Sequence, residues 1–98
     1  MKQPALSDRP KLRRPARLKY DPARETELLL LPERVVRLNP SAGAILRLCD
    51  GERSVAAIIE RLERNYPGSD LKGDVLEFLA TAADKGWLEP WTSVTLTP

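Results

Sequence analysis

The segment ETELLLLPERVVRLNP, residues 25–40, determines the predicted fold because two strand-like runs and a helix start follow one another in it. Residues 25–31 end in four leucines, and residues 34–38 have two adjacent valines at their centre. Leucine also has a high helix propensity, but the first run is too short for a typical helix and Pro32 follows it directly. We therefore predict a β-hairpin that turns at Pro32-Glu33.

Three helices are predicted after the hairpin, because apolar residues recur at helical spacing in three successive segments. Each segment has a capping residue at its start and a glycine at its end. The caps are Asn39 (with Pro40 at the first helical position), Ser54 and Asp70, and the stops are Gly51, Gly68 and Gly86. The third helix is expected to cover residues 70–85.

A further strand is predicted before the hairpin. The sequence RLKY at residues 17–20 alternates polar and apolar side chains, and Asp21-Pro22 supplies the turn after it. Strands that come first and helices that come after them indicate an α+β fold. The predicted architecture is a three-stranded antiparallel sheet followed by three helices, winged-helix-like.

Charge is unevenly distributed along the chain. Residues 1–24 hold 8 of the 16 Lys and Arg residues and two acids, a net charge of +6, whereas the remaining residues carry −4. Three prolines and few large apolar side chains predict that residues 1–15 form a flexible basic arm. We expect one folded domain over residues 16–89 and a C-terminal tail over residues 90–98.

The composition argues against several classes of function. The chain has no His and a single Cys, so a disulfide, an ordinary zinc site and a His general base are ruled out. We expect no enzymatic activity, no cofactor and no metal, and we interpret Cys49 as a buried core thiol. Because no apolar run is long enough to span a membrane and no secretion signal is recognisable, we expect a cytoplasmic protein without a membrane partner.

The third predicted helix has a wider apolar arc than a surface helix needs. One stripe is expected to face the core and consists of Leu71, Val75, Phe78, Leu79 and Ala82. A second stripe beside it contains Leu76, Ala80, Ala83 and Trp87. Either the helix is central and packed on both sides, or the second stripe lines a groove beside an edge strand to which an extended peptide could add.

A basic arm and a hairpin beside three helices would also fit a winged-helix nucleic-acid-binding protein. However, residues 70–85 hold four acids and two bases, and phosphates would repel this net charge of −2. Aromatic residues are not interleaved with the bases either, as stacking on single strands would require. We therefore expect no nucleic-acid partner.

A series of short segments identifies a family by its order and spacing over residues 9–89. The segments are RLKYD at 17–21, LLLLPE at 28–33, VRLN at 36–39, AILRLCDG at 44–51, Ser54-Val55 with Ile58-Ile59 and Leu62, Tyr66, Asp74-Val75 with Phe78-Leu79, and GWL at 86–88. Together they resemble the PqqD family, small proteins of pyrroloquinoline quinone (PQQ) biosynthesis. The LCDG sequence followed by a Ser-Val helix start is the most specific part of the resemblance.

The resemblance implies a non-catalytic peptide chaperone of the kind found as the recognition element in ribosomal-peptide (RiPP) pathways. It implies binding of the precursor peptide PqqA and presentation of that peptide to the radical SAM enzyme PqqE. In such elements the peptide lies along the third strand and against the third helix. The corresponding residues here are Arg34, Val35, Val36, Arg37 and Leu38 of the strand and Leu76, Ala80 and Ala83 of the helix.

The resemblance leaves some alternatives open. Related domains serve other ribosomal-peptide pathways with other precursors, and the nucleic-acid-binding protein is the alternative from another class. We expect the chain to be a monomer or a weak homodimer.

Overall fold

The computed structural model describes residues 4–89 and confirms the predicted α+β architecture. Three antiparallel strands in the order β1-β2-β3 are followed by three helices. The elements are β1 (Arg17–Asp21), β2 (Thr26–Leu30), β3 (Val35–Leu38), α1 (Pro40–Arg47), α2 (Val55–Asn65) and α3 (Lys72–Asp84). The predicted C-terminal tail, residues 90–98, lies outside the described residues.

The inner face of the sheet contributes one row of apolar side chains to the core. Leu18, Leu29 and Val36 are directly opposite one another on the three strands. Leu29 on the central strand is fully buried, and the other two pack against the core cluster from the edge strands. Because side chains alternate along a strand, this row also defines which residues lie on the outer face.

A close contact between the sheet and α1 fixes the position of that helix. Glu27, on the inner face of β2, accepts hydrogen bonds from the Arg47 side chain at 3.0 and 2.6 Å. The side chain of Glu27 is 11% exposed, so this paired arrangement satisfies a carboxylate that would otherwise be costly to bury. A Cβ at Gly43 would lie 2.9 Å from Glu27 Cβ, so the helix can approach this closely only with glycine there.

The first two predicted N-caps are confirmed, but the third is wrong. Asn39 Oδ1 accepts from the Ala42 N–H at 2.8 Å, and Ser54 Oγ accepts from the Ala57 N–H at 3.1 Å. α3 begins at Lys72 with Leu71 as its N-cap residue, and no side chain caps it. The Glu63 carboxylate of α2 instead accepts from the Leu71 N–H at 2.9 Å, a partner that the local sequence around Asp70 does not reveal.

Residues 4–13, here called the strap, pack along the body, whereas the sequence predicts a flexible arm. Pro10 is fully buried and Leu12 packs against the core. The backbone of Leu12 pairs with Leu88, and the Arg13 N–H donates to the Trp87 carbonyl at 2.8 Å. The strap therefore follows the segments that leave α1 and α3.

The strap also completes the start of α2. The first N–H groups of a helix have no partner within the helix. The Val55 and Ala56 N–H groups donate to the carbonyls of Asp8 and Leu6, at 2.8 and 2.9 Å. These contacts connect residues about fifty positions apart, so they do not appear in any local sequence pattern.

Among residues 4–89, no helix is both long enough and apolar enough to cross a membrane.

Candidate functional site

The strand β3 is one of the two edge strands of the sheet, and the register defines which of its backbone groups are free. The Leu31 N–H donates to the Arg34 carbonyl at 2.9 Å, so this pair closes the hairpin. Hydrogen-bonded pairs then alternate along the ladder, which places the backbone of Val36 and Leu38 toward β2. The N–H and C=O groups of Val35 and Arg37 consequently point away from the sheet.

A groove of about 580 Å³ opens where β3 continues into α1. It lies between the start of α1, the end of α2 and the first half of α3. Its walls are Asn39, Pro40, Ser41, Ala42, Ala44, Ile45, Leu62, Tyr66, Ser69, Leu71, Asp74, Val75 and Phe78. Carbon atoms dominate this lining, so the groove is suited to apolar side chains.

The polar groups at the edge and groove have opposite charges. Arg34 and Arg37 are exposed on or beside β3, and the exposed Asp74 is the charged residue of the groove wall. The exposed side chain of Tyr66, at 56%, stands at the end of α2 beside the groove. A ligand that lies along β3 and enters the groove would thus meet cations first and a carboxylate later.

The structure brings together only part of the predicted site. The strand residues Arg34, Val35, Val36, Arg37 and Leu38 form the open edge and its closing turn. The predicted helix stripe lies on the other flank of α3: Ala80 is 3% exposed, and Leu76 and Ala83 are half-buried against the core. None of these three lines the groove. Peptide contact at either set of residues stays a prediction.

Sequence reasoning missed the groove residues because it assigned them other roles. The sequence predicts only a helix start at Asn39 and Pro40, and it predicts Phe78 in the stripe that faces the core. Phe78 is in fact half-buried and contributes to both the core edge and the groove. The wide apolar arc of α3 was the available signal, but it does not indicate which of its two flanks is open.

Cys49 lies outside the groove and is a buried thiol, as predicted. Its Sγ donates to the Ile45 carbonyl at 3.4 Å. Burial, and to a smaller extent the nearby Asp50 charge, raises the pKa of this thiol to about 12, so the reactive thiolate is scarce at neutral pH. Within residues 4–89, no group of three or more His, Cys, Asp or Glu side chains is arranged to hold a metal ion.

An edge strand with unpaired backbone groups beside an apolar groove defines a class of small α+β domain whose geometry is compatible with β-strand addition. Comparisons with known proteins identify the family within that class. The model of the family Coenzyme PQQ synthesis protein D (PqqD) matches residues 27–88. The chain belongs to the PqqD family.

Relatives from two bacteria match over most of their length. The chain is 47% identical over 90 residues to the PqqA binding protein of Azotobacter vinelandii, covering 91% of this chain and 98% of that protein. It is 43% identical over 90 residues to the PqqA binding protein of Pseudomonas aeruginosa (strain UCBPP-PA14), with the same coverage.

A solved structure shares the fold. It is the solution NMR structure of the PqqD truncation of Methylobacterium extorquens PqqCD, described as a functional, stand-alone RiPP recognition element. The TM-score is 0.74 at 38% identity, and the match covers 88% of this chain and 94% of that one. The sheet, the helices and their order are therefore family features.

Proposed function

We propose that this protein binds the precursor peptide PqqA as an additional strand on β3 and presents it to the radical SAM enzyme PqqE in PQQ biosynthesis. The observation that carries the proposal is the free β3 edge leading into the apolar groove. Two relatives that cover nearly the whole chain are PqqA binding proteins, which supports the same peptide here. We assign recognition to residues 16–89 and a non-catalytic role to the chain.

The backbone of β3 would supply the first part of the binding energy. Val35 and Arg37 each present one N–H and one C=O to a guest strand. A net contribution of about 1 kcal/mol per hydrogen bond gives a few kcal/mol for these groups, which is enough for weak binding only. Backbone hydrogen bonds form with a guest strand of almost any sequence, so selectivity for one peptide has to come from side chains.

The groove would supply the part of the binding energy that comes from side chains. A guest strand on β3 continues toward Asn39 and Pro40, where the groove begins. Alternate guest side chains would face the groove and could bury against Leu71 and Phe78, each buried aliphatic side chain contributing about 1.5–3 kcal/mol. The predicted stripe Leu76, Ala80 and Ala83 remains the alternative wall on α3.

The experiment is a titration of ¹⁵N-labelled protein with synthetic PqqA, with two proline variants in parallel. Arg37→Pro removes an N–H that faces the guest, so we expect peptide binding to be lost while the melting temperature changes little. Val36→Pro removes a bond to β2, so we expect destabilisation of the hairpin by about 2 kcal/mol.

The contrast between the two variants tests the mechanism. A peptide of scrambled PqqA sequence serves as the control for selectivity. If Arg37→Pro binds PqqA as the parent does, the backbone of β3 is not the site. If PqqA shifts no amides of the parent at saturating concentration, the protein recognises another partner and the proposal is wrong.

A further inference from the structure

The outer face of the sheet combines an apolar centre with unpaired cations. The inner row of Leu18, Leu29 and Val36 places the intervening residues on the opposite face. That outer face carries Leu28, Leu30 and Val35 in adjacent register positions, beside Arg17, Lys19 and Arg37. The acid on this face, Asp21 at the end of β1, is paired with Arg24.

The apolar residues of this face are not part of the core. Val35 is 58% exposed, and Leu28 and Leu30 are half-buried without belonging to the core cluster or to the side chains packed on it. A strand whose second face met only water would normally carry polar residues there. Adjacent aliphatic side chains at this position thus indicate a surface that is covered in a complex.

The cations around this centre form no salt bridge within residues 4–89. Arg17, Lys19 and Arg37 are exposed, and over residues 4–89 the salt bridges involve only Arg24, Arg47 and Arg53 as bases. A complementary partner would therefore present carboxylates around an apolar contact. Two copies of this chain packed face to face would instead bring the same cations together.

The size of the face also argues against a stable dimer. Three strands about 4.8 Å apart, each with about five residues at 3.3 Å, cover roughly 240 Å². Stable interfaces bury about 800 Å² on each partner. The surface is suited to a brief contact with a different protein, and not to permanent self-association.

We propose that the outer face of the sheet is the surface through which this protein docks on an acidic, apolar-centred patch of the enzyme that modifies the bound peptide. The identity of that enzyme rests on the proposed function above. Because outer-face side chains point away from the groove, peptide and enzyme could be held at the same time.

The test compares two double charge reversals. Arg17→Glu with Lys19→Glu alters the outer face on β1, away from the β3 edge. Arg61→Glu with Arg64→Glu changes the charge equally on the exposed side of α2. The affinity of each for PqqE is measured by calorimetry at low and high salt, and the affinity for PqqA is measured separately.

We expect the outer-face variant to bind PqqE at least tenfold more weakly, with a smaller salt dependence and unchanged PqqA affinity. The α2 variant should match the parent. Equal PqqE affinity of the two variants would overturn the proposal. The same variants are also titrated with an RNA oligonucleotide and with anionic vesicles. If the outer-face variant loses affinity only for one of these and not for PqqE, the proposal is likewise overturned. Failure of the parent to bind PqqA would count against the proposed function alone, since the enzyme titration is independent of the peptide.

Discussion

The two flanks of α3 have similar apolar composition but different surroundings. On one flank Ala80 is buried and Leu76 and Ala83 are packed against the core. On the other flank Leu71 and Phe78 are half-buried and form the wall of the groove. An apolar stripe on a helix therefore predicts that something covers it, but whether the cover comes from the same chain is decided by the tertiary structure.

The flank of α3 that carries Leu76, Ala80 and Ala83 is here called the closed flank. The strap contacts the chain at one end of it. Trp87 continues the stripe beyond α3 and is 6% exposed. Its carbonyl accepts from the Arg13 N–H, and the adjacent Leu88 pairs with Leu12. No comparable segment among the described residues crosses the groove, which leaves the other flank available to a ligand.

The largest effect is expected from a carboxylate on the closed flank. Ala80→Glu would bury a charge without a partner, so we expect a loss of about 3–4 kcal/mol in the free energy of unfolding, measured by urea denaturation. Ala56→Glu is the control, because Ala56 is an exposed helical alanine on α2. If Ala80→Glu is as stable as Ala56→Glu, the flank is open and can be a peptide-binding wall.

Removal of the strap should have the next largest effect. A chain lacking residues 1–13 loses the burial of Pro10 and Leu12 and the hydrogen bonds to the first turn of α2. We expect a loss of about 2–4 kcal/mol, with PqqA affinity of the folded protein unchanged. Thermal melting and a peptide titration measure the two quantities.

Two single substitutions in the strap serve as controls for the truncation. Pro10→Ala should lower stability by about 1 kcal/mol, and Arg9→Ala, at an exposed position, by less than about 0.5 kcal/mol. A truncated chain that melts with the parent would mean that the strap contacts contribute nothing, as expected of the flexible arm that the sequence predicts.

These cases indicate how far the sequence determines the structure. The hairpin and the first two helix starts are specified locally: turn residues separate the apolar runs, and Asn39 and Ser54 make the capping bonds with residues three positions away. The burial of Pro10 depends on segments some forty residues distant. Composition indicates only that such a segment is poor in apolar residues, and this favoured disorder.

The candidate site also has one part that the local sequence specifies and another that depends on distant segments. The open edge follows from the hairpin, because the last of three strands in a meander has one free side. The groove depends on how α1 and α3 are arranged on either side of α2, and the periodicity of any one helix does not contain this information. The missing cap of α3 is similar, since its substitute is Glu63 on another helix.

The flank of α3 that lines the groove, here called the open flank, can be tested by a pair of alanine substitutions on that helix. Phe78→Ala should cost about 1–2 kcal/mol of stability and weaken PqqA binding about tenfold, since it removes a wall of the groove. Leu76→Ala is the matched control, because Leu76 is also half-buried but on the closed flank. We expect a similar loss of stability and no change in affinity, determined by chemical denaturation and calorimetry. The opposite result would place the peptide against Leu76, Ala80 and Ala83.

The smallest effect is expected at Tyr66, where the groove wall reaches the end of α2. Tyr66 is 56% exposed, so Tyr66→Ala should change the free energy of unfolding by less than about 0.5 kcal/mol. Tyr66 lines the groove, and we expect loss of its ring to weaken PqqA binding a few-fold. Tyr20→Ala is the control, because Tyr20 is 48% exposed but lies on β1 and does not line the groove. Calorimetric titration of both variants with PqqA distinguishes the two outcomes. Equal affinities would mean that the bound peptide does not reach Tyr66. Weaker binding by Tyr66→Ala alone would mean that the binding surface extends to the end of α2.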